Sequence, residues 1–222
     1  MNQLGRQFIL DFILESEAIE KLGFKRQTYN ENIGHWAAIK YVIDLAKKKL
    51  SLQESDIKKI NELIAEEYRA CNWKSYRNTP GEYREFDIKK KSFLPPHCRR
   101  IPSMMKCFIR KVNKWQNSFG RHCEEQNIEK IGRFHHWFEK IHPFADGNGR
   151  TGRVIALYMI LFLEFEPFIF RFSDKANYYA AFQNKNKMAA YFVKKYQEVK
   201  EMKKILETRL KIQREARDQG NI

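Results

Sequence analysis

The chain has 222 residues, of which 43% are hydrophobic, 14% aromatic and 31% charged. This composition supplies a sizeable core and a well-solvated surface, which argues against disorder throughout. The 42 Lys and Arg residues outnumber the 27 Asp and Glu residues, and the net charge of +15 favours anionic partners. Because the basic residues are spread along the whole chain, most of them are typical of solubilising helix faces.

Cysteine usage and hydropathy indicate a cytosolic protein without a membrane span, although a translocated effector would look the same. Residues 154–163 form the strongest apolar run, which is half the ~20 residues that a membrane helix needs. Near the N-terminus, residues 8–10 and 12–14 are apolar but are split by Asp11, and they lack the basic start, continuous apolar core and cleavage site of a signal peptide. The cysteines show neither a CxxC pair nor a cysteine–histidine spacing typical of zinc: Cys71, Cys98, Cys107 and Cys123.

Almost all of the sequence has helical periodicity. Apolar residues recur at three- and four-residue steps in four segments: 32–50, 55–71, 101–119 and 126–141. The charged tail, 192–219, has the same spacing and predicts a long helix that packs on the core or forms a short coiled coil. There is no internal repeat and no linker, so we expect a single all-α domain with this tail attached.

Residues 78–96 differ from the rest of the chain. Turn residues open the segment, aromatic and aliphatic residues lie inside it, and Pro95-Pro96 closes it. This pattern predicts a short β-hairpin or an irregular flap.

Residues 141–153, with the sequence IHPFADGNGRTGR, form a loop between two predicted helices. Gly147 and Gly149 allow the loop amides to converge on an anion, and the N-terminus of the second helix adds its positive dipole end. Arg150 and Arg153 are three residues apart, so their guanidinium groups lie on one side of that helix start. The segment therefore predicts a phosphate-binding site.

Two more residues of this loop indicate catalysis. Asp146 is a carboxylate beside the phosphate site, where Mg²⁺ binds one or two carboxylates together with phosphate oxygens. His142 lies at the entrance of the loop and supplies a base that changes charge near neutral pH. A base, a metal ligand and a phosphate site together predict nucleotidyl or phosphoryl transfer. We expect His142 to titrate normally, since a general base needs no large pKa shift near neutral pH.

The segment resembles the Fic family motif, HxFx[D/E]GNGRxxR, and fills every fixed position of it. The resemblance implies that His142 is the general base that takes the proton from a Ser, Thr or Tyr hydroxyl of the target. It implies that Phe144 is a buried anchor for the loop and that Asp146 holds Mg²⁺ at the α- and β-phosphates of ATP.

The same resemblance assigns the ATP phosphates to the rest of the motif. Gly147, Asn148 and Gly149 would form the anion nest, Arg150 would bind the β-phosphate region, and Arg153 the γ-phosphate. The target hydroxyl would attack the α-phosphate in line, and pyrophosphate would leave. Family members that phosphorylate instead carry a lysine at the position of Gly149, so glycine there favours adenylylation.

The resemblance extends to the segments on either side of the motif. Gly81, Tyr83 and Arg84 match the family's flap, which holds a target peptide by strand addition. His135 matches a histidine of the preceding helix, for which we expect a structural role.

After the motif helix, Tyr179 and Asn186 resemble the family's adenosine-contacting pair. An aromatic ring and an amide suit an adenine ring, although ordinary helix packing explains them nearly as well.

The N-terminal segment resembles the inhibitory helix of some family members, with the pattern [S/T]xxxE[G/N]. Ser16 and Glu20 are four residues apart, on one face of a predicted helix. The implied mechanism is that Glu20 pairs with Arg153 and blocks the γ-phosphate position. Lys21 departs from the small residue that the pattern expects, and the short SxxxE pattern is common in helices.

Taken together, the resemblance implies a compact, all-α Fic-type domain with a short β-hairpin flap in residues 1–195 and a charged helical tail in 196–222. It implies AMP transfer from ATP to a protein hydroxyl, with Mg²⁺, on a target or on the enzyme itself. One alternative is the use of another phosphate-containing donor, or the removal of AMP. A second is a non-catalytic nucleotide-sensing or DNA-binding module, but the sequence lacks a helix-turn-helix signature and an RNA-binding aromatic string. The target and the oligomeric state stay open.

Overall fold

The computed structural model describes residues 5–20, 33–69, 79–90, 93–118 and 122–218. Lys21 and Cys71, which entered the sequence predictions, lie outside these residues. In the part that is described, the regular secondary structure is helical, so the prediction of an all-α fold is confirmed.

The α-helices, in chain order, are α1 (Arg6–Glu20), α2 (Ile33–Lys47), α3 (Glu54–Arg69), α4 (Ile101–Gln116), α5 (Glu124–Ile141), α6 (Asn148–Phe162), α7 (Lys175–Ala181) and α8 (Lys185–Asp218). Short 3₁₀ turns precede α4 and α7, at Cys98–Arg100 and Phe172–Asp174. None of the described helices combines the length and the apolar character needed to cross a membrane.

Helix α6 lies at the centre of the bundle, in contact with α1, α2, α3 and α5. All of the residues from Val154 to Leu161 are buried, and this stretch carries no charged side chain. A helix that is apolar on every side is stable only when other helices surround it. The consequence for the site is that the first turn of α6, with its arginines, is held rigidly among four other helices.

Helix α8 is continuous across the predicted domain boundary at residues 195 and 196. Its first half packs along α5, and Met188, Phe192 and Tyr196 are buried there. Its second half leaves the core, because the following apolar side chains are exposed: Met202, Ile205, Leu206, Leu210 and Ile212. The division into a domain and a tail stays a prediction.

The predicted β-hairpin is wrong for the flap residues that the structure describes, 79–90 and 93–97, which contain turns and bends but no strand. The physical reason is the buried side chain of Arg84. It lies between the two limbs of the flap, residues 79–90 and residues 93–97. It donates hydrogen bonds to the carbonyl oxygens of Phe86, at 2.8 Å, and Pro96, at 2.6 Å. These carbonyl groups are therefore bound by a guanidinium group rather than by the amides of an opposite strand.

Candidate active site

Two left-handed residues shape the loop between α5 and α6. His142 ends α5 with a φ of 49°, and its N–H group donates to the carbonyl oxygen of Phe138 at 3.0 Å. Gly147 has a φ of 75° and precedes α6, where its carbonyl oxygen accepts the N–H group of Thr151. A side chain at Gly147 would be strained in this conformation. The first amides of α6 have no acceptor inside the helix and are available to an anion.

The side chain of Asn148 stabilises the loop by two hydrogen bonds to its backbone. Its Oδ1 accepts the N–H group of Phe144 at 2.9 Å, and its Nδ2 donates to the carbonyl oxygen of Phe144 at 2.8 Å. The ring of Phe144 is buried and lies 5.6 Å from that of Tyr83 in the flap. The placement of Phe144 agrees with the buried anchor that the motif implied.

Asn61 of α3 is a site residue that the sequence analysis missed. Its Nδ2 donates to the carbonyl oxygen of Asp146 at 3.0 Å and to Oγ1 of Thr151 at 3.2 Å. Its Oδ1 accepts the N–H group of Gly81 at 3.1 Å. One buried amide thus connects the motif loop, the first turn of α6 and the flap. A single asparagine in a helix carries no sequence signal for such a role.

Arg84 joins the flap directly to the first histidine of the motif. Its side chain is fully buried, and Nε donates to the carbonyl oxygen of His142 at 2.9 Å. Its backbone N–H group donates to the carbonyl oxygen of Pro143 at 2.9 Å. Of the predicted flap residues, Tyr83 and Arg84 therefore lie against the motif loop, and Gly81 is connected to it through Asn61.

His142 is buried, and its titration differs from the sequence prediction. Burial, followed by the positive charge of Lys90, lowers the pKa of His142 to about 3, so the ring is neutral at physiological pH. Its Nδ1 lies 3.3 Å from the carbonyl oxygen of Glu139, which can only accept a hydrogen bond. We infer from this contact that Nδ1 carries the proton and that Nε2 is the free acceptor. The expectation of an ordinary pKa was wrong because it took no account of burial.

Asp146 is the most accessible charged group of the loop, with 54% of its side chain exposed. Its Oδ2 lies 3.5 Å from Nη2 of Arg150, which is a long contact for an ion pair. An exposed carboxylate beside a helix N-terminus suits a hard divalent cation that also binds phosphate oxygens. The placement of Asp146 therefore fits a magnesium ligand.

Arg153 is completely buried, and helix α1 supplies its hydrogen-bond partners. Nε donates to Oγ of Ser16 at 2.8 Å, and Nη2 donates to the carbonyl oxygen of Ser16 at 2.9 Å. Nη2 also lies 2.8 Å from Oε1 of Glu20. Burial alone would lower the pKa of Arg153, but the charge and hydrogen bond of Glu20, together with Tyr178, outweigh burial and raise the pKa above its usual value. The structure thus brings Ser16, Glu20 and Arg153 together.

The carboxylate of Glu20 lies over the first turn of α6. A Cβ atom added to Gly149 would be 2.1 Å from Oε1 of Glu20, so any side chain at this position would push the Glu20 carboxylate aside. Gly149 is therefore in direct contact with the end of α1.

Arg150 also contacts α1, through a residue that the sequence analysis did not single out. Its Nη1 lies 3.3 Å from Oε1 of Glu17, and the same oxygen lies 3.2 Å from Nδ1 of His35 on α2. Burial lowers the pKa of His35, although Glu17 opposes this shift. The signal in the sequence was the three-residue spacing of Glu17 and Glu20, which puts both carboxylates on one helix face.

Glu139 of α5 is a further missed residue. It is buried, and one of its carboxylate oxygens, Oε1, has no hydrogen-bond partner. Burial, followed by the charge of Glu20, raises the pKa of Glu139 to about 8. A Cβ atom on Gly152 would lie 2.3 Å from Oε1, so Glu139 packs directly against the start of α6.

The remaining predicted residues, His135, Tyr179 and Asn186, lie on α5, α7 and α8. His135 is buried; Nε2 is 2.7 Å from the hydroxyl oxygen of Tyr178, and Nδ1 is 3.2 Å from the carbonyl oxygen of Gly152. Tyr179 on α7 is half exposed, with its hydroxyl group 3.5 Å from the carbonyl oxygen of Ile19. Asn186 is exposed in the first turn of α8. Tyr179 thus borders the end of α1, whereas no contact of Asn186 with the loop is observed among the described residues.

A helical bundle with this loop at the start of its central helix defines a Fic-type domain. The family model described as the Fic/DOC family matches residues 51–160, and the chain belongs to this family. It is 30% identical over 151 residues to a protein adenylyltransferase Fic of Nematostella vectensis, covering 68% of this chain and 33% of that protein. It is 32% identical over 130 residues to a probable protein adenylyltransferase of Aquifex aeolicus, covering 56% and 36% of the two chains. The chain thus spans about a third of the length of these relatives.

Solved structures support the same fold. A Fic domain containing signaling protein from Bacteroides thetaiotaomicron superimposes with a TM-score of 0.71 at 19% identity, covering 86% of this chain and 83% of that one. Fic-1 from C. elegans gives a TM-score of 0.72 at 18% identity, covering 91% of this chain and 64% of that one.

Proposed function

We propose that this chain is a protein adenylyltransferase that transfers AMP from ATP to a Ser, Thr or Tyr hydroxyl of a target protein or of itself. The observation that carries the proposal is the assembly of a neutral, buried His142, an exposed Asp146 and two arginines around the first turn of α6. The relatives named as protein adenylyltransferases support the same activity.

The phosphates of ATP would bind at the N-terminus of α6. The amides of Gly147, Asn148 and Gly149 would form the anion nest there, and Arg150 and Arg153 would bind the β- and γ-phosphates. Mg²⁺ held by Asp146 would neutralise phosphate charge. Tyr179 and Asn186 would contact the adenosine, with the half-exposed ring of Tyr179 as the stacking surface.

His142 would act on the target hydroxyl. Because its ring is neutral and its Nδ1 proton is directed to the carbonyl oxygen of Glu139, Nε2 can accept the hydroxyl proton. The hydroxyl oxygen then forms a bond to the α-phosphorus, and the bond between the α-phosphorus and the bridging oxygen of pyrophosphate breaks. The flap would position the target peptide, since Arg84 connects it to the backbone of His142.

Helix α1 would hold this site inactive. The γ-phosphate position proposed at Arg153 is filled by Glu20, which lies 2.8 Å from the guanidinium group. ATP could bind with its γ-phosphate at Arg153 only after Glu20 has moved away. Glu20 is one-third exposed, so this movement needs no unfolding of the core.

The test is label transfer from ATP radiolabelled at the α-phosphate, with Mg²⁺, to the protein and to cell lysate. We expect weak transfer by the wild type, stronger transfer by Glu20→Gly and by Glu20→Gln, and none by Glu20→Gly with His142→Ala. Glu20→Gln is the matched control, because it removes the charge without adding a helix-breaking glycine. Parallel reactions with UTP and GTP determine the donor. Failure of every variant to transfer label, while ATP binding persists, would overturn the proposal.

A further inference from the structure

Three side chains of different chemistry converge where the two limbs of the flap meet, away from the phosphate site. Asp87 lies in the first limb of the flap, and His97 and Cys98 lie where the second limb meets the 3₁₀ turn before α4. One ligand atom from each residue lies within 4.8 Å of the other two. We propose that Asp87, His97 and Cys98 bind a zinc ion that joins the two limbs of the flap.

The ligand set favours zinc over the hard cations. A thiolate, an imidazole and a carboxylate are the groups that Zn²⁺ binds, whereas Mg²⁺ and Ca²⁺ select oxygen ligands. Three protein ligands leave a fourth position for water. The chain has four cysteines, and Cys98 is the one placed beside both a histidine and an aspartate among the described residues.

The distances are already close to those of a bound site. Nε2 of His97, the nitrogen that would bind the zinc, lies 3.3 Å from Oδ2 of Asp87, and one ligand atom from each of the three residues lies within 4.8 Å of the other two. Ligands around a tetrahedral zinc are roughly 3.3–3.8 Å apart, given zinc–ligand bonds of about 2.0–2.3 Å. Rotation of these partly exposed side chains is therefore sufficient, and no movement of the core is needed.

One backbone contact and one side-chain contact hold the carboxylate of Asp87 in place before the metal binds. The N–H group of Cys98 donates to Oδ1 of Asp87 at 2.7 Å, and Nη1 of Arg84 lies 3.8 Å from the same oxygen. Oδ2 is thus left for the metal. The N–H group of Arg99, which donates to Nδ1 of His97 at 3.2 Å, is in an exposed residue and can turn to water when the imidazole binds.

The site would act on the flap rather than on the reaction itself. Arg84 connects Asp87 to the carbonyl oxygen of His142, so a metal on Asp87 stiffens the segment that positions the motif. Sequence spacing gave no sign of such a site, because His97 and Cys98 are adjacent and Asp87 is ten residues earlier. Only the folding of the flap brings the three together.

Titration of the metal-free, untagged protein with Co²⁺ tests this site by the thiolate-to-cobalt charge-transfer band. A variant with Cys71, Cys107 and Cys123 changed to Ser keeps Cys98 and should give the full band at one cobalt per chain. Zn²⁺ should displace the cobalt. Cys98→Ser should abolish the band, and Asp87→Asn or His97→Ala should weaken cobalt binding by at least ~10-fold.

A second measurement follows the flap. Lys89, Lys90 and Lys91 lie between Asp87 and His97, so trypsin cleavage there should slow with Zn²⁺ in the wild type but not in Cys98→Ser. A thiolate band that persists in Cys98→Ser, or no band in the variant that retains only Cys98, would overturn the proposal. Neither measurement uses a nucleotide, so the outcome is independent of AMP transfer.

Discussion

Oε1 of Glu17 lies 3.3 Å from Nη1 of Arg150, one turn of α1 before the carboxylate of Glu20 that pairs with Arg153. Helix α1 therefore contacts both arginines of the motif through two successive carboxylates. The two contacts differ in their surroundings, because Glu17 is buried against His35 and Glu20 is one-third exposed. Removal of the Glu17 carboxylate should accordingly affect the stability of the protein differently from removal of the Glu20 carboxylate.

We expect Glu17→Ala to destabilise the protein far more than Glu20→Gln does. Removal of one member of a buried ion pair costs about 3–5 kcal/mol, whereas a partly exposed pair contributes less. Unfolding in urea, followed by circular dichroism, measures both variants against the wild type. Equal losses of unfolding free energy in the two variants would show that the burial of Glu17 has no energetic consequence.

Protonation of His142 should not lower the rate of AMP transfer in the physiological pH range. A base with a pKa of 6.5 would lose about tenfold in rate for each pH unit below that value. Because burial lowers the pKa of His142 to about 3, the ring stays unprotonated and kcat/KM should hold between pH 8 and pH 5. The Glu20→Gly variant gives the signal for this profile. The double variant Glu20→Gly with Glu139→Gln removes Glu139 as a second titrating group. A fall in kcat/KM below pH 6.5 that persists in this variant would contradict the lowered pKa of His142.

Glu139→Gln should stabilise the protein at alkaline pH. The folded protein holds the Glu139 proton more tightly than the unfolded chain, with a pKa of about 8 against the ordinary 4.5. The stability from this group is therefore complete below pH 4.5 and is lost as the pH rises to about 8. The loss is on the order of 5 kcal/mol at most. The difference in unfolding free energy between wild type and variant should widen over this interval, and a constant difference would count against a protonated Glu139.

Asn61→Ala should lower both stability and activity. Three hydrogen bonds would be lost, which leaves the buried Gly81 amide unsatisfied at a cost of about 1–3 kcal/mol. Because Asn61 holds the backbone of Asp146, transfer in the Glu20→Gly background should fall and should need more Mg²⁺. The matched control is Asn113→Ala, which loses a similar bond to the carbonyl oxygen of Leu52. An unchanged Mg²⁺ dependence would reduce Asn61 to a structural role.

The parts of this molecule that the sequence predicts are those with local signals. Helical periodicity predicted the bundle, and residues 142–153 carry their chemistry in order along the chain. Ser16 and Glu20 were found because their four-residue spacing puts them on one helix face. Their contact with Arg153, which is more than a hundred residues away in sequence, is a property of the folded bundle.

The missed features depend on tertiary contacts. Asn61 and Glu139 are ordinary helix residues until α6 packs against them. The flap has the turn residues of a hairpin, but the side chain of Arg84 binds the carbonyl groups that strand pairing would need. The pKa of His142 is shifted mainly by burial, and burial cannot be read from neighbours in the chain.

The single guanidinium group of Arg153 has a consequence for α1 as a whole. Any anion that takes Nη2 and Nε of Arg153 must first displace hydrogen bonds from Ser16 and Glu20. Anion binding and the docking of α1 are then thermodynamically linked, and each must weaken the other by the same factor. Since Ile9, Phe12, Ile13 and Ile19 pack the docked face of α1 into the core, an anion that displaces the Ser16 hydrogen bonds would also weaken this apolar packing.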